Sequence, residues 1–226
     1  MAYNFLDLVN IVARRLNETE LTSTNFTTAK AFYSTIKDSV NTSIRDINQY
    51  YSYFPFNHNK KEEVLIAGET RYVFPAEAKY IDFDTFRIKR DTTLDLGEAR
   101  ALRKISYDEY ISTHVDQEDE TDATQGGVPE YVFRSQSEEY GLVPFPDKAY
   151  TLEYEYFMHP VDLVLFDDVP TIPEAYKHVI IDGAMYYCYL FRDNIEMTAL
   201  SKSKFEEGMK NMRKLLVNEH LYMRAI

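Results

Sequence analysis

The spacing of apolar positions changes period twice along the chain. Phe5, Leu8, Val9, Val12, Ala13 and Leu16 recur at helical intervals and predict a short amphipathic helix over 4–17, closed by Asn17. After a "TELTSTN" hinge, Phe32, Ile36, Val40, Ile44, Ile47 and Tyr51 form one stripe of a longer helix over about 27–53, which Pro55 ends. From about residue 60 the period falls to two. "EEVLIAGETRYVFP" reads as two short strands forming a hairpin around Gly68, and "KYIDFDTFRIKR" alternates Ile81 and Phe83 with Asp82 and Asp84. "SYDEYISTH" predicts a brief helix with Ser106 as its cap and Glu109 at the third helical position. Strands follow at 131–134, 140–143 and 150–157. "GLVPFPDKAYTLEYEYF" has prolines at strand ends and a Pro-Asp turn, as an antiparallel hairpin needs.

The period then returns to helical for two closing segments, 171–191 and about 195–219. The first, "TIPEAYKHVIIDGAMYYCYLF", is the most informative stretch. Thr171 and Glu174 have the spacing of a capping box, with Pro173 in the first turn, where its missing N–H costs nothing. Tyr176, Val179, Ile180, Gly183, Ala184 and Tyr187 then share one face with Phe191. Ile181, Met185 and Cys188 point elsewhere and leave only a narrow polar strip, so the helix is expected deep in a domain or between neighbours. Gly183 and Ala184 offer a notch for a second helix of this chain or of another copy.

Helices at both ends of the chain most simply pack on each other. The layout is therefore an α+β protein: a helical bundle core from residues 1–55 and 171–226, with an inserted antiparallel β-rich module over 56–170. At 226 residues and 45% hydrophobic content the chain can build a real core. "MAYNFLDLVNIVARRLNETE" has helical periodicity and not the form of a signal peptide, and no run reaches membrane-spanning length, so a soluble protein with no membrane partner, made in the cytoplasm, is expected.

Charge and composition narrow the chemistry. A net charge of −12 argues against gripping phosphate backbones, although an acidic lining suits a passage along which DNA slides. Nineteen tyrosines without a tryptophan lean toward extensive contacts. The single cysteine, Cys188, excludes an internal disulfide and reads as a buried thiol. No nucleophile elbow, phosphate loop, dinucleotide loop or zinc motif is present, and the five histidines are scattered. The acidic run 116–122 fails as a calcium loop: Thr121 and Ala123 fall on ligand positions and Thr124 where glycine is needed, so it reads as a solvated loop. Asp167 and Asp168 are expected to solvate the turn before the capped helix. Tyr186, Tyr187 and Tyr189 read as packing groups before they read as a sugar platform. No catalytic, cofactor or metal site is expected.

The order of the pieces carries a resemblance. "LVNIVARRLNE", "INQYYSYFPF", "GETRYVFPAEAKYIDFDTFRI", "LRKISYDEYISTHVD", "GVPEYVFRSQSEEYGLVPFPDKAYTLEYEYFMHPVDL" and "TIPEAYKHVIIDGAMYYCYLFRDN" follow one another over residues 5–217. This succession resembles the head-to-tail adaptor (connector) proteins of tailed bacteriophages, with Phe54 standing where such sequences often carry tryptophan. The resemblance implies a virion structural protein of the neck, not an enzyme. It implies a homo-oligomeric ring, typically a dodecamer, under the portal protein and around the DNA exit channel, with tail or nozzle proteins docked on it. Carried onto this chain, it places subunit contacts on Tyr176, Val179, Ile180, Gly183, Ala184 and Tyr187, and portal contacts on Leu221, Tyr222, Met223 and Ile226. The alternative from another class is a tail or capsid surface module that recognises carbohydrate; a hydrolase using scattered carboxylates comes last.

Overall fold

Asn4 opens the first helix by accepting the Asp7 amide on its side-chain oxygen at 2.9 Å, which satisfies one of the donors a helix start leaves over. A computed structural model describes residues 3–94, 96–118 and 126–217. Its elements run α1 (Phe5–Arg15), α2 (Phe32–Tyr50), β1 (His58–Val64), β2 (Arg71–Val73), β3 (Ala78–Ile88), β4 (Arg100–Ala101), β5 (Arg103–Lys104), α3 (Tyr107–Thr113), β6 (Tyr131–Arg134), β7 (Glu139–Val143), β8 (Thr151–Met158), α4 (Lys177–Phe191) and α5 (Ile195–Leu216). The protein is α+β, and it divides into a helical unit, within Met1–Asn57 and His159–Ile226, and a β unit, His58–Met158.

In the helical unit α4 packs on α1, α2 and α5, and α1 also packs on α2. The core joins Leu8, Val12, Ile36, Val40, Ile180 and Cys188, all fully or almost fully buried, so one apolar cluster draws on both arms of the unit. Asn17, at φ 59°, ends α1: the Glu18 amide reaches the Ala13 carbonyl at 2.9 Å and the Asn17 amide reaches Arg14 at 3.2 Å, a Schellman closure. α2 begins later than its apolar stripe suggests. Ala31, at φ 58° and ψ −126°, stands outside helical space, and residues 23–28 form turns before it.

Residues 159–170, which the periodicity assigned to the insertion, belong to the helical unit. They form an extended strap whose backbone serves two helices. The Phe5 amide donates to the Asp168 carbonyl at 2.8 Å and Leu6 to Phe166 at 3.0 Å, while the Asn41 amide group both donates to and accepts from the backbone of Leu163 at 3.0 Å. Such bonds leave no periodic trace in a sequence.

The β unit is two four-stranded sheets, ordered β1-β8-β3-β4 and β2-β7-β6-β5, antiparallel except where β5 runs parallel to β6. Both expected hairpins resolve differently. β1 pairs with β8 and β2 with β7, so the turn at Gly68, φ 83°, carries the chain from one sheet to the other. The link from β7 to β8 does the same in reverse. Gly68 is held there by its amide on the Pro146 carbonyl at 2.8 Å, and the Tyr72 hydroxyl bonds the Ile66 and Glu69 backbone at 3.1 Å.

Many of the tyrosines expected at contacts are core instead. Tyr140, Tyr154 and Phe86 lie fully buried between the sheets, with the Phe86 and Tyr154 rings stacked at 4.4 Å and 2°. In a satellite cluster, Tyr110 of α3 stacks on Phe133 at 3.7 Å. Ser106 caps α3 as expected, accepting the Glu109 amide at 3.1 Å. Among the described residues one charge is buried: the Glu153 carboxylate on β8, 3% exposed, is bonded by the Arg87 guanidinium and by Lys60 at 2.7 Å. Burial alone would raise its pKa; the hydrogen bonds from Lys60 and Arg87 outweigh that and hold it below the usual glutamate range.

Candidate functional site

α4 carries the residues the sequence singled out, and its surroundings decide what they can touch. The capping box does not form. Pro173 is extended, at φ −61° and ψ 145°, and a short 3-10 turn, Glu174–Tyr176, precedes the helix. Thr171 instead donates to the Asn57 side-chain oxygen at 3.3 Å, and Glu174 pairs with Lys177 at 3.3 Å. A partner remote in sequence captured Thr171, and a neighbour one turn on captured Glu174.

Val179, Ile180, Gly183 and Ala184 are buried in the chain's own unit. The notch at Gly183 is filled from within: a Cβ there would lie 2.2 Å from the Ser43 hydroxyl oxygen and 2.8 Å from the Phe205 ring. Val179 packs on Gly208 of α5 in the same way. Tyr176 and Tyr187 are half-buried, and Tyr187 donates its hydroxyl to the Asp46 carboxylate at 2.5 Å. Burial, then that hydrogen bond, pushes the Tyr187 phenol up from its ordinary value. The four buried residues are all covered by the chain's own helices. The near absence of a polar strip on α4 is accounted for by its central place among α1, α2 and α5.

Exposed apolar surface of the helical unit gathers elsewhere. At the corner between α4 and α5, Leu190, Phe191, Ile195 and Leu200 face outward, and a dimple of about 250 Å³ opens among Leu190, Asp193, Ile195, Thr198 and Ala199. The corner is stiff. Asp193, at φ 53°, carries a second Schellman closure, with the Asn194 amide on Tyr189 at 3.1 Å and the Asp193 amide on Leu190 at 3.2 Å, and Asn194 then caps α5 through the Met197 amide at 3.1 Å. Arg192 lies over the Phe32 ring at 4.1 Å, and Phe32 in turn contacts Phe191 at 5.8 Å. Helical spacing places Phe191 on the core face; as the last residue of α4 it is 64% exposed and packs on Phe32 instead.

The strap carries a second patch. Val161, Val164, Leu165 and Val169 are exposed, on a turn held by Asp168, whose carboxylate accepts the Val164 and Leu165 amides at 2.6 and 2.7 Å. Asp168 thus holds the turn before the helix, and its side chain is spent on backbone. Leu221, Tyr222, Met223 and Ile226 lie outside the described residues, as does most of the acidic run. Cys188 is buried, and desolvation raises its thiol pKa.

Charge is divided unevenly between the units. Residues 58–158 hold 22 of the 37 acidic side chains and 12 of the 25 basic ones, so the acidic excess belongs to the β unit and the helical unit is close to neutral. Among the described residues no group of three or more His, Cys, Asp or Glu could hold a metal ion, and no helix is long and apolar enough to cross a membrane.

An α+β chain whose outward features are apolar patches on a stiff helical frame has the character of a structural, contact-forming protein. The chain matches the family described as SU10 adaptor protein over residues 3–224, and no curated protein matches it. It belongs to that family of phage head-to-tail adaptors, a structural class of bacteriophage protein.

Proposed function

We propose that the protein closes into a ring of identical copies under the portal, at the virion neck, and joins head to tail. In this reading DNA leaves through the ring without sequence-specific contact, and tail or nozzle proteins take its free face as their platform. The observation that carries the proposal is the extent of the family match, which runs through both units. Twelve copies is the number the family resemblance suggests. The contact surfaces are drawn from what the helical unit leaves exposed, with Tyr176 and Tyr187 at its margin, and the segment holding Leu221, Tyr222, Met223 and Ile226 is assigned to the portal.

The uneven charge bears on the channel. A wall built from the helical unit alone would carry little net charge, so the acidic lining that keeps DNA from sticking would have to come from the β unit. Neutralising acidic side chains of that unit should then slow DNA ejection; unchanged retention and ejection would remove this part of the reading.

The experiment for the whole reading is imaging of the protein alone and after mixing with its cognate portal. Separate chains that become a ring with a central hole on the portal are expected. Indifference to the portal overturns the proposal.

A further inference from the structure

The two apolar patches of the helical unit lie at opposite ends of one helix. The strap is tied to the start of α1 through the Phe5 and Leu6 amides. The corner is tied to its end, where Arg192 donates to the Leu16 carbonyl at 3.3 Å and pairs with Glu18. The eleven residues of α1 span about 16 Å, so the patches cannot cover each other within one chain.

Both have relief: the corner holds a dimple walled by Leu190, Ile195 and Ala199, and the strap, with Val161 76% and Val164 69% exposed, borders a smaller hollow lined by Ile44, Val161 and Val169. Each offers on the order of 400 Å² of apolar surface, the size at which such patches mark contacts. A standard interface covers about 800 Å² per partner, so one corner-to-strap contact is half that size and would not hold two dilute copies together. A like-to-like pair would use one patch and leave the other bare. Two separate patches on opposite flanks suit a head-to-tail contact, in which every copy uses both and the weak contacts gain strength only by closing.

We infer that the corner of one copy receives the strap of the next. The inference rests on the ring reading above and adds the two surfaces that make the ring; the buried face of α4 has no part in the contact.

The test is a full chain carrying Val164→Cys and Ile195→Cys, oxidised at high concentration and again in assembled particles. Both positions are exposed and the native Cys188 is buried, so the fold and the background chemistry are undisturbed. The double variant is expected to give a ladder of disulfide-linked multimers. Each single variant should stay monomeric, and a mixture of the two single variants should stop at dimers. As a second measure, Val164→Glu or Ile195→Glu should cut ring yield at least about tenfold with thermal unfolding unchanged. Dimers from one single variant alone would show a like-to-like contact and overturn the inference. So would rings seen in particles whose double variant does not cross-link. Particles that show neither ring nor cross-link sink the ring reading itself, and the image tells that failure from the other.

Discussion

Ser43 and Gly183 meet where α2 packs on α4: the Ser43 hydroxyl donates to the Ile180 carbonyl at 3.0 Å, and its oxygen stands 2.2 Å from where a Cβ on residue 183 would be. The approach of the two helices depends on that missing atom. Gly183→Ala is therefore expected to destabilise the helical unit by about 2 kcal/mol despite alanine's better helix propensity, overpacking being the larger effect. Adding Ser43→Ala should recover part of the loss, because the Phe205 ring, 2.8 Å from the same Cβ, still resists it. Urea unfolding of the two single variants and the double variant measures both numbers.

Ala31 has φ 58° and ψ −126°, a conformation that suits glycine. Ala31→Gly should raise the unfolding free energy by about 1 kcal/mol, since relief of backbone strain exceeds the added freedom of the unfolded chain. A lower midpoint in a denaturant titration would contradict this.

Glu153 makes the β unit sensitive to acid. Its folded pKa lies below the unfolded value of 4.5, so its contribution is complete above that pH and is lost as pH falls through the lower folded value. Glu153→Gln should cost about 2 kcal/mol at neutral pH, as expected for hydrogen bonds to a charged group, and should flatten the acid limb of a stability-against-pH curve. An acid limb of unchanged slope in the variant would assign the acid sensitivity to other carboxylates.

Two tyrosines in one core should respond oppositely to the same change. The Tyr140 hydroxyl donates to Glu63 at 3.0 Å, whereas the Tyr154 hydroxyl is buried with no hydrogen-bond partner among the described residues. Tyr140→Phe leaves a carboxylate short of a donor and should destabilise by about 1 kcal/mol, while Tyr154→Phe should be neutral or stabilising by up to about 1 kcal/mol. Thermal unfolding of the pair checks the sign of each.

Alternation and helical spacing found nearly every element, because burial of one face imposes a period on the residues themselves. What they could not carry was partnership. A Gly68 turn reverses the chain whether the next strand joins the same sheet or the facing one, and both choices bury the same alternate residues. Thr171 and Glu174 have the spacing of a capping box, but Asn57 and Lys177 compete for them, and Asn57 is far away in sequence. The contact residues were read from α4 because apolar positions on every side look the same whether one's own helices or a neighbour's cover them. Val161, Val164 and Leu165 drew no notice, since a strap held by backbone bonds has no period.

His58 opens the β unit and sits in register opposite Phe157, one residue before that unit ends. Entry and exit are thus neighbouring strand ends, about 5 Å apart. Both crossings of the chain between the units fall at this one pair of strand ends, so strands can be added to the β unit, or removed from it, without altering the gap the host helices must bridge.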